Sequence, residues 1–241
     1  MSRTSSVFLF ILPALIFIGH VTAQNSGWGS GIIIPEKGIQ TMHINMPLAS
    51  FGLFDTPGGK KAGTIFMKNS VNVVYSLEQK MIVCRVKDED LAEVAAAGWC
   101  LKYYGEQGDF VKILVQSTGI GLWISKTELN YLHLKPETWL DFMLAKKTGF
   151  YPNIDIGLNL RLEPDAGSKK IVLMKGDHYL IDLDGETDGA WAKATVKKYS
   201  TRPCKAASSD NLSAQETLHG WIKIVDDKGF PNIWFYPRGC E

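Results

Sequence analysis

Three sets of residues in this chain could do chemistry: four cysteines, a run of acids and a group of aromatic side chains. The cysteines are Cys84, Cys100, Cys204 and Cys240, and the histidines that could join one in a thiol–imidazole couple are His43, His133, His178 and His219. A nucleophilic thiolate wants a helix N-terminus or a neighbouring cation, and no cysteine here opens a convincing helix. The lack of any Cys-x-x-Cys pair argues against zinc. The chain has no HExxH, GxSxG or P-loop pattern. Asp182, Asp184, Glu186 and Asp188 fall within seven positions, the kind of oxygen donors calcium takes. An EF-hand counted from Asp182 would need glycine sixth and glutamate twelfth, where Thr187 and Lys193 stand. The run is expected instead to be a solvated hairpin turn on Asp184-Gly185. No catalytic residue, metal or cofactor is assigned.

The elements that must position these residues are mostly strands. Leu158, Leu160 and Leu162 alternate with Asn159, Arg161 and Glu163, a period of two with one buried face. Pro164 ends that strand because proline has no N–H for a ladder. Ile171–Met174 and His178–Leu183 read as the next two strands, and Asp226-Asp227-Lys228-Gly229 as a hairpin turn. Residues Asp88–Ala97, with Leu91, Ala92, Glu93 and Val94, suit a short helix with acids at its start and Gly98 at its end. A linker helix is expected over 131–149, with Pro136 in its first turn, Lys146 and Lys147 late, and Trp139, Leu140, Met143 and Leu144 on one face.

Residues 1–23 carry Arg3, an apolar run from Val7 to Ile18 and the small-residue end Val21-Thr22-Ala23, which predicts a secretory signal peptide cut after Ala23. The protein is therefore expected to be exported, periplasmic or secreted, with no membrane insertion after cleavage. Removing that segment leaves bases and acids equal in number at 25 each. A neutral surface argues against a nucleic-acid partner, which needs a basic footprint. Residues 24–44, rich in Gly, Ser and Asn at their start, read as a flexible lead-in.

The chain repeats itself. At a constant offset of 107, FGLFDTPGGKKAGTIFMKN from Phe51 lies over LNLRLEPDAGSKKIVLMKG from Leu158. At an offset of 111, FVKILVQSTGIGLWIS from Phe110 lies over WIKIVDDKGFPNIWFY from Trp221, so that Trp123 meets Trp234. A repeat of this length fits two similar domains rather than a solenoid. The four cysteines allow three disulfide connectivities. Keeping each pair within one half favours Cys84–Cys100 and Cys204–Cys240. The first would close a 15-residue insert, worth on the order of 3 kcal/mol in the loop-entropy model.

The segment LNLRLEPDAGSKKIVLMKGD resembles the opening of a bacterial SH3 (SH3b) domain: a strand, Asn-x-Arg, a proline turn, a second strand and Lys-Gly. HGWIKIVDDKGFPNIWFYPRGC resembles the end of one. The resemblance covers about 150–241, and 45–130 in a divergent form where Phe54 replaces the arginine, Asn69 replaces the glycine and Gly52 stands in place of Asn159. It implies a mainly β fold of two small SH3-like β-barrels joined by the helix over 131–149, similar to tandem exported proteins of Bacteroidota type. It also implies a non-catalytic module that binds cell-wall peptide, peptidoglycan or an envelope protein. The alternative is an envelope hydrolase or a hydrolase inhibitor, because SH3b domains often accompany cell-wall peptidases.

In Ile233-Trp234-Phe235-Tyr236 alternation puts Trp234 and Tyr236 on one face and Ile233 and Phe235 on the other. A barrel this small cannot bury both, so one face is expected to line an aromatic groove of the kind that takes extended peptides. The better-kept second copy is the expected host, through Arg161, Trp191, Trp221, Trp234 and Tyr236.

Overall fold

The computed structural model describes residues 29–36, 49–68, 71–76, 81–85, 91–95, 98–115, 120–146, 149–205 and 212–235. The expected signal peptide, Tyr236 and Cys240 lie outside the described residues. The fold is mainly β. The first ten strands are β1 (Gly31–Pro35), β2 (Ala49–Phe54), β3 (Lys61–Lys68), β4 (Val71–Ser76), β5 (Met81–Arg85), β6 (Leu91–Ala95), β7 (Gly98–Tyr103), β8 (Glu106–Gln107), β9 (Phe110–Val115) and β10 (Ile120–Ser125). After helix α1 (Lys126–Tyr131), strand β11 (Leu134–Thr138) and helix α2 (Trp139–Ala145) come β12 (Tyr151–Pro152), β13 (Leu158–Arg161), β14 (Lys170–Met174), β15 (Tyr179–Asp188), β16 (Trp191–Lys198), β17 (Glu216–Lys223) and β18 (Ile233–Trp234).

The repeat is visible as topology. The first half holds a seven-stranded sheet in the order β5-β4-β3-β2-β10-β9-β8, and the second a five-stranded sheet in the order β14-β13-β17-β16-β15. The five strands β3-β2-β10-β9-β8 match the second sheet one for one, in the same chain order. Both opening hairpins carry a bulge at the aligned place, between Leu53 and Phe54 in one and between Leu160 and Arg161 in the other. Their registers differ by two residues (Leu53 faces Gly63, Leu160 faces Val172), an even slip that keeps every side chain on its face. Among the described residues β14 and β15 are the two ends of the second sheet, and no closed barrel is formed by them.

This topology corrects the offset of 111. Trp123 stands opposite Phe54, and Trp221 opposite Arg161, the residue aligned with Phe54. The counterpart of Trp123 is therefore Trp221. Trp234 belongs to a separate two-stranded ladder with β12, facing Tyr151.

A third sheet, in the order β11-β1-β7-β6, lies between two cores. Ile33 of β1 packs with Phe51, Leu53, Ile65, Val111 and Ile113, whereas Ile32 and Ile34 pack with Trp139, Phe142 and the inner residues of the five-stranded sheet. Side chains alternate across a strand, so three successive isoleucines serve both cores. All three are at most 2% exposed. The expected loose lead-in over 24–44 is thus replaced at 31–35 by a strand buried on both faces.

Three further expectations change. The helix expected over 131–149 splits: Leu134–Thr138 pairs along its whole length with β1, between the end of α1 at Tyr131 and a second helix at Trp139–Ala145. Thr138 caps that helix, its Oγ1 accepting from the Asp141 amide at 3.1 Å and donating to Asp141 Oδ2 at 2.7 Å. The helix expected over Asp88–Ala97 is, at Leu91–Ala95, strand β6 against β7. Helix propensity is a weak prior, and a partner strand overrides it. Cys84 and Cys100 fall in different sheets, on β5 and β7. Cys100 is a free, buried thiol, which rules out the Cys84–Cys100 bridge. Cys204 is a half-cystine; its expected partner Cys240 is outside the described residues.

Candidate functional site

The outer face of the five-stranded sheet gathers most of the expected binding residues. In β16 the small residues Ala192, Ala194 and Val196 point into the core, which turns Trp191, Lys193, Thr195 and Lys197 outward. In β17 Gly220 and Ile222 point inward, turning His219, Trp221 and Lys223 out. Leu158 and Leu160 do the same for Asn159 and Arg161 in β13. Trp221 has Arg161 on one side and Lys193 on the other, while Trp191 faces Lys223. The two half-buried indoles occupy diagonal positions on adjacent strands, within reach of one another for side chains this large.

Charges on this face are largely neutralised. Lys197 meets Asp182 at 2.9 Å and Lys193 meets Glu186 at 2.8 Å; these hydrogen bonds raise both lysine pKa values. Lys223 pairs with Asp227. The acid run is thus an edge strand whose carboxylates serve β16. Its hairpin turn is Gly189-Ala190, between the paired Asp188 and Trp191, and Gly185 (φ 87°) instead opens a bulge after Leu183. No group of three or more His, Cys, Asp or Glu able to hold a metal occurs among the described residues. The expected turn at Asp226 is present, with Asp226 Oδ1 accepting from the amides of Lys228 and Phe230.

Arg161 is committed to local structure. Its Nη1 donates to the Ser168 carbonyl and closes the β13–β14 loop. Asn159, two residues earlier on the same face, has a buried Oδ1 with no hydrogen-bond partner. A buried acceptor of this kind calls for a donor. In the first half Gly52 takes the Asn159 position, and the Glu128 carboxylate of α1 lies over it, accepting from the Gly52 amide at 2.9 and 3.0 Å. There Trp123 pairs with Lys112, whose Nζ sits 5.8 Å from the indole centroid. Each half therefore sets a tryptophan on the strand beside its opening strand, with a lysine across from it. The signal for this was in the alternation of small inward residues in β16 and β17, which marks Trp191 and Trp221 as outward.

Trp234 does not join the face. It is 7% exposed, stacked on Phe235 at 4.6 Å and edge-on to Trp139 at 5.5 Å. Helix α2 covers the side of β18 that sequence alternation left open, so Ile233 and Trp234 are both core. Lys146 caps this cluster, 4.8 Å from the Phe142 ring and 5.5 Å from Phe235. Burial lowers the Lys146 pKa.

Cys100 packs into the same core, and burial pushes its thiol up to about 12 from 9.0. A thiol so placed is no nucleophile at neutral pH. Thiol titration should find Cys100 unreactive in the native protein and reactive once urea unfolds it. Its folded-state pKa is raised, so its contribution to stability is complete below 9.0 and is lost as pH rises to about 12. Tyr103, raised first by burial and then by Glu106, acts in the same direction. Urea melts should therefore show stability falling above pH 9.0, with a shallower fall in Cys100→Ala; equal slopes would contradict the burial of this thiol.

No protein-family model matches the chain, and no curated protein matches its sequence.

Proposed function

We propose that the protein is a non-catalytic binding module of the bacterial cell envelope, built from two SH3-like halves and exported by its signal peptide. It recognises cell-wall peptide, peptidoglycan or an envelope protein on the outer face of the second sheet. The observation that carries this reading is the recurring half-buried tryptophan with its cross-strand lysine, Trp221 with Lys193 and Trp123 with Lys112. Trp191 extends the platform in the second half, facing Lys223 on the strand that carries Trp221. The shared hairpin bulge and five-strand order support the SH3-like assignment. Burial of Cys100 tells against its service as a hydrolase nucleophile.

Trp191→Ala and Trp221→Ala test the proposal. Each side chain is half-buried on an outer face, so the melting point should move by only a few degrees. Truncating an interface anchor costs about 2 kcal/mol or more, roughly thirty-fold in affinity. Pull-downs on purified peptidoglycan and on envelope protein should lose the ligand in both variants. Unchanged capture by the variants, or no capture by the intact protein, would remove this face as the site.

A further inference from the structure

We infer that the outer edge of β14 takes an extended acidic peptide from another protein as an added strand. This goes beyond the tryptophan face and uses backbone groups rather than indoles. The comparison between the halves carries it. β3, aligned with β14, has β4 along its other edge in continuous register from Gly63–Ser76 to Lys68–Val71. The chain thus supplies its own added strand in the first half, whereas β14 is the last described strand of its sheet.

The two ends of that sheet are treated differently. At the β15 end, Phe150 exchanges backbone hydrogen bonds with Ile181, both 2.8 Å, and the acids are paired with lysines of β16. At the β14 end, Ile171 and Leu173 are 37% and 36% exposed, and Leu162, just past the end of β13 with its amide donating to the Lys169 carbonyl, is 58% exposed. Lys169, Lys170 and Lys175 flank it, all exposed and none in an ion pair among the described residues. An apolar edge between lysines offers a ladder of main-chain groups and apolar contacts to a strand. Its cations select acidic flanks. The same lysines disfavour a second copy, since antiparallel β14–β14 pairing would set like charges against each other.

The probe is a synthetic peptide carrying the Val71–Ser76 sequence with glutamate added at both ends, mixed with the full chain. Amide hydrogen exchange should show new protection across Lys170–Met174. The same peptide with lysine at both ends should bind about tenfold more weakly, the order expected for a few exposed charge contacts. Lys170→Glu with Lys175→Glu, both on exposed side chains, should reverse that preference while leaving the melting point in place. Trp191→Ala should leave peptide protection of β14 unchanged, so failure here and failure of the tryptophan face are separately visible. The inference is overturned if β14 gains no protection, if the flanking charge makes no difference, or if sedimentation shows the chain pairing with itself through β14.

Discussion

Trp234→Ala should lower stability by about 3–5 kcal/mol, the cost of emptying a large aromatic from a core. For a chain of this size that is a fall in melting temperature of about 6–20 °C. The magnitude follows from what the ring touches. Trp234 stacks on Phe235 and meets Trp139 edge-on; Trp139 in turn meets Phe142 at 6.2 Å, and Phe142 meets Phe235 at 6.0 Å. The four rings close on one another, so removing one leaves faces that α2 alone cannot refill. Trp234→Phe keeps the stack and should lose much less. Thermal melts of both variants decide the matter. A Trp234→Ala protein that melts within a few degrees of the parent would return this residue to the list of candidate ligand contacts.

Residues 150–241 expressed alone should not fold to a native-like state. The core against the five-stranded sheet includes Ile32, Ile34, Trp139, Phe142 and Met143, all from outside that segment. Burying such a side chain stabilises by about 1.5–3 kcal/mol. Five of them together amount to about 7–15 kcal/mol, as much as the whole net stability of a typical domain. The isolated segment should bind a hydrophobic dye and melt without cooperativity, whereas residues 29–241 should melt as one unit. A cooperative melt of the isolated segment at the parent temperature would show that the shared sheet contributes little.

Much of the local structure was legible because side-chain periodicity is a local property. β13 ends at Arg161, short of Pro164, and leaves Leu162 exposed rather than on the buried face, but the hairpin from Leu158 to Met174 and the turn at Asp226–Gly229 follow from residue order alone. So does the match between the two opening hairpins, down to an alignment that places both bulges together. The outward direction of Trp191 and Trp221 was also present, in the inward set Ala192, Ala194, Gly220 and Ile222.

What the tertiary structure alone decided is which partner covers each face. Ile32-Ile33-Ile34 is a continuous apolar run, and such a run has no period to betray that it feeds two cores at once. Leu91–Ala95 has helix-forming residues, yet β7 lies beside it and makes it a strand. Leu134–Thr138 carries a proline suited to a helix start, but proline is equally at home on an edge strand, and β1 captured it. Trp234 and Tyr236 alternate with Ile233 and Phe235 as a two-faced strand should; whether the second face meets water or α2 depends on residues nearly a hundred positions away. The sequence by itself determined the directions in which side chains point. Long-range packing determined what they meet, because burial is set by contacts between distant segments, which local periodicity does not encode.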